Sequence, residues 1–376
     1  MSEKRILLAS LLKPINDTRM YEKLGVSLSK IPGAAIHICG YTGPIPSHAP
    51  GNISFHPIFE FKRMSLGRLE AQRKFYNLLV QLKPELLIVT THELLLVSLF
   101  YKQKYGCQLV YDIQENYSLN LRAQHNYPWL AKQLLALAVR STERLTTPAI
   151  AHFLLAERSY AEELPFLGNR YTCVENKYKE KTNQATPAIP VAIPTMGPLY
   201  LLYSGTIAEE YGLWEAIRLA EEFHKINSGT RLTIIGYCAN AHTLAALKDA
   251  IKGKGYIQLI GGDSLVPHEE ILKEIAKSHV GLLPYRPNQS TFRCIPTKLY
   301  EYMAHGLPVL IQQNPLWHAI VEGNGAGLSI DFMSANAPEL LEKLYLTSFY
   351  TEGIPQDIYW HTEEDKLLQV INKLLR

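Results

Sequence analysis

Residues 281–311 read GLLPYRPNQSTFRCIPTKLYEYMAHGLPVLI and contain a complete strand–loop–helix–strand unit. The apolar run that ends at Tyr285 predicts a buried strand, and an irregular polar loop follows it. Pro296 at the start of the next helix and Gly306 at its end occupy the positions that these residues prefer. Pro308 then leads into the next strand. A helix that joins two strands of this kind is typical of parallel sheets with crossover helices.

The same alternation extends over nearly the whole chain of 376 residues. Strands are predicted at 5–11, 35–41, 53–58, 86–91, 108–113, 170–176, 199–205, 231–237, 256–262, 279–285 and 307–313. Helices are predicted near 17–30, 65–82, 94–105, 128–143, 212–226, 240–252, 267–278, 297–305, 315–322, 338–346 and 361–375. The fold class is therefore α/β, with two Rossmann-like, doubly wound domains that face each other across a cleft.

Composition sets the domain organisation and excludes several classes of protein. The length exceeds what one core usually fills, and the proline-containing segment 181–197 lacks helical periodicity, so we predict domains at 1–180 and 198–360 with this linker between them. The net charge of +3 argues against nucleic acid as the main partner. The five scattered cysteines indicate neither a disulfide framework nor a zinc site, which fits a reducing cytoplasm.

Three stretches bear on membranes. The longest apolar run, residues 86–101, contains His92 and Glu93 and is not expected to span a bilayer. Lys4 and Arg5 precede ILLASLL, which resembles a signal peptide, but a buried first strand explains this run better. Residues 62–74 form a basic amphipathic stretch that can dock on anionic lipid at the inner face of a membrane or on an anionic acceptor; the alternative is a solvated helix face. We therefore expect a cytoplasmic protein.

Several common signatures do not occur in the sequence. There is no G-x-G-x-x-G after the first strand, no P-loop, no H-E-x-x-H, no G-x-S-x-G and no D-x-D. Dinucleotide oxidoreductases, P-loop nucleotidases, zinc proteases and α/β-hydrolases thus lack support.

The helix that begins after Pro296 has the features of a diphosphate site. Its N-terminus offers free backbone N–H groups near Thr297, and Lys298 adds a positive charge in the first turn. Glu301 lies three residues further on the same face, where a carboxylate can accept both hydroxyls of a ribose. The alternative for Glu301 is a simple ion pair with Lys298.

PTKLYEYMAHGLPVL, residues 296–310, resembles the donor-binding segment of glycosyltransferase family 4, the group 1 glycosyl transferases, which commonly reads P-x-K-x-x-E-Y-M-A-x-G-x-P-V. The likeness extends over nearly the whole chain, through residues 10–30, 109–117, 201–223, 231–237 and 325–330. It implies the GT-B fold, with a final helix, about 361–376, that packs back on the first domain.

The resemblance also implies a function and a donor site. The donor would be a UDP- or GDP-linked sugar, with no metal or other cofactor. Glu301 would bind the ribose, and Lys298 with the Thr297 backbone would hold the diphosphate. Two pairs of residues complete the donor site: Gly205 and Thr206 opposite the phosphates, and Gly236 and Tyr237 near the base.

The acceptor, a saccharide or a lipid-linked molecule, would bind to the first domain. Asp17 and His92 are the candidates for acceptor activation, and Arg19 and Glu115 for acceptor contact. Each has a structural alternative: Asp17 can cap a helix, Arg19 can brace one, and His92 and Glu115 can be ordinary residues at strand ends. The family favours retention of anomeric configuration.

The sequence departs from the family pattern at several positions. The E-x7-E pair would need glutamate at position 293, where this chain has Arg293. Thr206 and Tyr211 replace an arginine and a lysine, and Gln114 replaces a histidine. We expect Arg293 to supply a missing phosphate cation, because one lysine compensates a buried diphosphate poorly. A nucleotide-sugar epimerase and a catalytically silent binding protein remain as rivals.

Overall fold

The computed structural model describes residues 3–61, 65–123, 128–180, 187–288 and 292–376. The chain divides into two compact units. Unit 1 comprises Met1–Lys179 and Trp360–Arg376, and unit 2 comprises Glu180–Tyr359. Each unit is built around its own parallel sheet.

The described strands of the unit 1 sheet are β1 (Lys4–Pro14), β2 (Ala34–Tyr41), β3 (Ile53–Phe59), β4 (Leu86–Val89), β5 (Gln108–Ile113), β6 (His152–Leu155) and β7 (Tyr171–Cys173). They are all parallel and lie in the order β3-β2-β1-β4-β5-β6-β7. The order reverses between β1 and β4. This is the topological switch point at which doubly wound sheets bind ligands.

Helices cover this sheet. After a π-helical segment at Thr18–Gly25 they are α1 (Val26–Leu28), α2 (Gly67–Leu82), α3 (Leu95–Tyr105), α4 (Tyr117–Ala123), α5 (Trp129–Thr146) and α6 (Tyr160–Glu163). A short 3₁₀ turn at His92–Leu94 joins β4 to α3. The core consists of aliphatic side chains, as expected for strands that are buried on both faces.

The last helix packs on unit 1. Residues Trp360, Leu367 and Ile371 belong to its hydrophobic core, and the Trp360 indole donates a hydrogen bond to Ser27 Oγ at 2.9 Å. Glu363 is fully buried and pairs with Lys177 at 2.7 Å. The end of the chain is thus fixed by both apolar packing and a buried ion pair.

Unit 2 repeats the doubly wound plan. Its described parallel sheet has the order β11-β10-β9-β12-β13-β14, built from β9 (Tyr200–Thr206), β10 (Arg231–Tyr237), β11 (Ile257–Gly262), β12 (Val280–Leu283), β13 (Val309–Gln312) and β14 (Gly327–Ile330). A small antiparallel pair joins β8 (Val191–Ala192) to β15 (Ser348–Phe349). The helices of unit 2 are α7 (Leu213–Ile226), α8 (Ala241–Ala250), α9 (His268–Lys277), α10 (Thr297–Ala304), α11 (Pro315–Val321) and α12 (Ala337–Leu346), and α13 (His361–Leu374) belongs to unit 1.

Some elements differ from the sequence prediction. The expected helix over 17–30 begins as a π-helix, whose extra residue per turn a 3.6-residue pattern does not reveal. Strands β6 and β14, each of four residues, were not predicted from the sequence. The expected linker contains β8, and its residues 181–186 lie outside the described part of the chain.

Candidate functional site

Three glycines lie at the carboxyl ends of neighbouring strands in unit 2. Gly205, Gly236 and Gly261 occur at matching positions of β9, β10 and β11, all with positive φ. A Cβ atom on Gly236 would lie 1.6 Å from the Gly205 carbonyl oxygen, and one on Gly261 would lie 2.5 Å from the Gly236 carbonyl oxygen. Only glycine fits at Gly236, so the sheet edge presents bare backbone there.

Lys298 lies against this bare edge. A Cβ atom on Gly205 would come within 2.9 Å of Lys298 Cε, so the lysine stem occupies the space that a side chain would take. Thr206 and Tyr237 pair across the same strand ends and are exposed. The structure thus brings together the sequence-predicted donor residues of β9, β10 and the first turn of α10.

Glu301 is held by two partners. Its side chain is 9% exposed; Oε1 lies 2.5 Å from His268 Nε2, and Oε2 accepts a hydrogen bond from Lys298 Nζ at 2.9 Å. Burial acts to raise the pKa of Glu301, but the His268 hydrogen bond and the Lys298 charge outweigh it and lower this pKa to about 2. The ion pair with Lys298, which the sequence offered as the alternative to ribose binding, is present within a larger cluster. A carboxylate has about four lone-pair positions, so two remain for a ligand.

Packing fixes the helix that carries Lys298 and Glu301. Tyr302 is fully buried, and its hydroxyl lies 2.8 Å from Ser204 Oγ on β9. The segment before α10 is held by α11: the Trp317 indole donates to the Cys294 carbonyl at 2.8 Å, and the Asn314 amide donates to the Phe292 carbonyl at 2.6 Å. The N-terminus of α10 is consequently anchored from both sides.

Two arginines lie between β12 and α10. Arg293 is exposed in the segment before α10. Arg286, which the sequence offered either as a residue of the donor cleft or as the end of a strand, donates from Nε to Glu215 Oε1 at 2.8 Å, and its backbone N–H donates to the Glu210 carbonyl at 3.0 Å. Glu215 is buried, and its Oε2 has no hydrogen-bond partner among the residues described. The Arg286 guanidinium therefore balances a buried carboxylate beside the β9–α7 connection.

Unit 1 contains a pocket of about 900 Å³ at its topological switch point. His92 after β4 and Glu115 after β5 both line it, as does Lys13 near the end of β1. Glu115 accepts a hydrogen bond from the Asn120 amide at 3.1 Å. Two of the sequence-predicted acceptor residues, His92 and Glu115, are thus brought to one cavity.

His92 lies in a group of polar side chains that are incompletely paired. Its Nδ1 is 3.5 Å from Glu93 Oε2 without forming a hydrogen bond, and Glu93 Oε1 is 3.6 Å from the guanidinium of Arg68. The His92 ring contacts that of Tyr117, with centroids 4.9 Å apart. Burial lowers the pKa of His92, which favours the neutral imidazole. A neutral imidazole can accept a proton.

Asp17 and Arg19 lie in other environments. The Asp17 carboxylate accepts backbone hydrogen bonds from Arg19 and Met20, as a helix cap does. The Arg19 side chain is 3% exposed; it pairs with Asp112 at 2.6 Å and donates to the Val174 carbonyl at 2.9 Å. Both groups already have structural partners, in agreement with the alternatives that the sequence left open.

Metals, membranes and the basic stretch complete the description. No cluster of three or more His, Cys, Asp or Glu side chains that could hold a metal ion occurs within the described ranges. Among the same residues, no helix is both long and apolar enough to cross a bilayer. Of the basic stretch 62–74, residues 62–64 lie outside the described part; the remainder enters α2, where Arg68 and Leu69 line the unit 1 pocket.

Sequence reasoning missed His268 and Glu93 as site residues, and it placed Arg68 only in the basic stretch 62–74. His268 is the first residue of α9, which follows the strand β11 at the same sheet edge as the donor candidates. That position after a carboxyl strand end was the available signal. Arg68 and Glu93 have no such signal, because only tertiary packing brings them together.

Comparison with known proteins supports the predicted resemblance. Residues 198–345 match the family described as "Glycosyl transferases group 1", a range that includes Gly205, Gly236, His268, Lys298 and Glu301. No curated protein sequence matches the chain significantly. The resemblance drawn from the sequence is thus confirmed over this part of unit 2.

Solved structures resemble the whole chain. Sucrose-phosphate synthase from Thermosynechococcus elongatus has a TM-score of 0.71 at 13% identity, covering 99% of each chain. Anabaena HepE, in complex with UDP, has a TM-score of 0.64 at 11% identity, covering 98% of this chain and 100% of that one. A putative UDP-N-acetylglucosamine 2-epimerase from Listeria monocytogenes has a TM-score of 0.61 at 12% identity, covering 98% of this chain and 96% of that one. These likenesses confirm the predicted GT-B fold, and the differing activities show why fold alone does not fix function.

Proposed function

We propose that this protein, which has a GT-B fold and a group 1 glycosyl transferase match in unit 2, transfers a sugar from a UDP- or GDP-linked donor to a saccharide or lipid-linked acceptor. One observation carries the proposal. Lys298, which is paired with Glu301, lies against the bare backbone of Gly205, and Gly205 pairs with Gly236 at the carboxyl ends of β9 and β10. This arrangement offers a cation and a carboxylate beside a flat surface, which suits a nucleoside diphosphate.

Each donor residue has a part in this proposal. Lys298 and the backbone N–H groups at Thr297 stabilise the negative charge that develops on the diphosphate. Arg293, in the segment before α10, is the further cation proposed for the diphosphate, whereas Arg286 is paired with Glu215. Glu301 accepts the ribose hydroxyls with the lone pairs that His268 and Lys298 leave open. The charge of the leaving group is thereby met by groups of the protein itself.

The reaction breaks the bond between the anomeric carbon and the diphosphate oxygen, whose electron pair leaves with the diphosphate. An acceptor hydroxyl oxygen forms the new bond to the anomeric carbon, and its proton must be removed. His92 is the proposed proton acceptor, since burial favours its neutral form. Glu115, in the same pocket, would contact the acceptor. We propose retention of configuration on the family resemblance, which requires the acceptor oxygen to attack from the same face of the sugar that the diphosphate leaves.

Calorimetric titration tests the donor site. UDP, GDP, ADP and their common sugar conjugates are titrated into the wild type and into Lys298→Ala and Glu301→Ala. Micromolar binding of one nucleotide, weakened in both variants and unaffected by chelator, would support the proposal and identify the base. Arg293→Ala with unchanged affinity would contradict the role proposed for Arg293. Absence of binding across the whole panel would favour a silent binding protein.

An epimerase is the second candidate, and the structural likeness to a putative UDP-N-acetylglucosamine 2-epimerase is the observation that favours it. The two functions differ in whether an acceptor is needed. Incubation with the nucleotide sugar alone, followed by analysis of the sugar released by mild acid, separates them. An isomerised sugar without acceptor would replace the transferase proposal by the epimerase.

A further inference from the structure

We propose that the acceptor is a lipid-linked saccharide, whose sugar lies beside His92 in the unit 1 pocket and whose hydrocarbon chain leaves along the apolar rim formed by α2, α3 and α5. The inference rests on the proposed function and narrows its acceptor to one chemical class. Three observations carry it: the rim of the pocket, the outer face of α5 and the unpaired polar atoms within the pocket.

The pocket changes from polar to apolar toward its rim. Leu69 on α2, Leu96 on α3 and Leu135 on α5 all line the pocket and are 70%, 47% and 44% exposed. The three helices are neighbours, since α3 contacts both α2 and α5. Large apolar side chains that line a cavity and also face solvent indicate a ligand that continues beyond the cavity.

The apolar surface continues on the outside of α5. Leu130, Leu134 and Leu137 follow one another at helical spacing and are 66%, 67% and 59% exposed. Phe100 on the neighbouring α3 is also exposed. The outward face of a helix on a globular domain is normally polar. Here α5 instead presents a leucine stripe next to the side that lines the pocket.

Four polar atoms of the pocket lack hydrogen-bond partners. Arg68 Nε, Gln72 Oε1, His92 Nδ1 and Glu93 Oε2 are buried and make no hydrogen bond to any described residue, and all four residues line the pocket. Buried polar atoms without partners are costly, so a ligand is expected to satisfy them. The group includes the donor Arg68 Nε and the acceptors Gln72 Oε1 and Glu93 Oε2. Sugar hydroxyls both donate and accept, which suits this mixture better than a bare anion does.

A pocket of about 900 Å³ lies in the upper part of the range for small-molecule sites. The apolar rim could also be covered by a second copy of the chain or by a plain lipid surface. Neither of these would satisfy the four polar atoms inside the pocket. A ligand with a saccharide head and a hydrocarbon chain satisfies the interior and covers the rim together.

The test uses alkyl maltosides as probes, below their micellar concentrations. Affinities of methyl, octyl and dodecyl maltoside are measured by calorimetry with the full chain. We expect octyl maltoside to bind at least about tenfold more tightly than methyl maltoside, because buried methylene groups add affinity. Leu96→Ser and Leu135→Ser should reduce this ratio several-fold, whereas Leu265→Ser, which alters a still more exposed leucine of unit 2, should leave it unchanged.

A second comparison tests the polar end. Octyl maltoside should bind several-fold more tightly than octyl dimethylamine oxide, and Gln72→Leu should remove that preference. The inference is overturned if the length of the alkyl chain has no effect on affinity, or if octyl maltoside and octyl dimethylamine oxide bind with equal affinity. It is also overturned if Leu134→Ser dissociates a dimer, or if anionic vesicles without any saccharide bind while alkyl maltosides do not. Nucleotide titration of the same variants is the control, because loss of donor binding would indicate failure of the proposed function instead.

Discussion

His268 and Glu301 meet side chain to side chain, with Nε2 of the imidazole 2.5 Å from Oε1 of the carboxylate. The histidine is the first residue of α9 and the glutamate lies in the second turn of α10, so two helices fix one carboxylate. Lys298 holds the other oxygen. The orientation of Glu301 is therefore set before any ligand binds, and preorganisation of this kind lowers the cost of binding.

Replacement of His268 or Glu301 should weaken the contact between the protein and the ribose of the nucleotide in particular. We expect His268→Ala to lower nucleotide affinity by roughly 3–10-fold and Glu301→Ala by roughly 10–100-fold, the range for lost hydrogen bonds to neutral and charged groups. Calorimetry with the preferred nucleotide and its 2′,3′-dideoxy analogue measures both effects. The loss should be large for the ribonucleotide and small for the analogue.

His318→Ala provides the control for that experiment. His318 also lies near a glutamate, at 3.5 Å from Glu322, but on the exposed surface of α11. Its replacement should leave nucleotide affinity unchanged. Equal losses for the ribonucleotide and the dideoxy analogue in Glu301→Ala would contradict a ribose contact.

The lowered pKa of Glu301 predicts a stability contribution with a definite pH range. Because the folded-state pKa is about 2 and the ordinary value is 4.5, the ionised carboxylate stabilises the fold above about pH 5. This contribution falls as the pH decreases from 4.5 toward 2, where the folded protein also takes up the proton. The difference in free energy of unfolding between wild type and Glu301→Gln should be on the order of 3 kcal/mol near pH 6 and should shrink below pH 4.

Urea unfolding followed by circular dichroism at pH 6 and pH 3.5 measures that difference. Glu222→Gln, which removes an exposed carboxylate with the same spacing from a lysine, is the control and should change stability little. A Glu301→Gln difference that is constant with pH would show that the cluster does not stabilise the folded protein through the ionised carboxylate.

Local signals explain what the sequence predicted well. Pro296 and Gly306 delimit α10, which was expected at 297–305 and is observed at Thr297–Ala304. The strands of unit 2 at 231–237 and 256–262 also agree closely with β10 and β11. Each of these features is determined by a few consecutive residues, through turn chemistry or an unbroken apolar run.

Contacts between distant residues explain what the sequence did not predict. His268 and Glu301 are 33 positions apart, and Arg19 and Asp112 are 93 apart. The sequence showed Arg19 in a loop that the family uses near the acceptor, but the structure buries its guanidinium against Asp112. Nothing in the local pattern distinguishes a buried ion pair from a solvent-facing arginine, because the partner is supplied by the fold.

The close contact between Gly205 and Gly236 should make unit 2 sensitive to an added methyl group. Gly236→Ala would place Cβ 1.6 Å from the Gly205 carbonyl oxygen in a backbone conformation that disfavours side chains. We expect a loss of at least about 2 kcal/mol in the free energy of unfolding, with reduced nucleotide binding. Thermal unfolding and nucleotide titration measure the two effects.

Gly255→Ala is the control for the glycine contact. A Cβ atom on Gly255 would meet nothing within 4 Å, and its backbone is not in the left-handed region. It should be neutral or slightly stabilising. If Gly236→Ala proves as stable as Gly255→Ala, the strand ends are further apart than the structure places them.

The Arg19–Asp112 pair should stabilise unit 1 only while both partners are present. The two side chains are 3% and 0% exposed, so Arg19→Met leaves a buried carboxylate without its cation and should cost about 3–5 kcal/mol. The double variant Arg19→Met/Asp112→Leu should recover part of that loss, because it leaves no uncompensated charge. Lys30→Met, which breaks an exposed pair with Glu364, should cost less than about 1 kcal/mol. Urea unfolding measures the stability of all these variants. If Arg19→Met kept wild-type stability but lost acceptor binding, Arg19 would be a residue that contacts the acceptor.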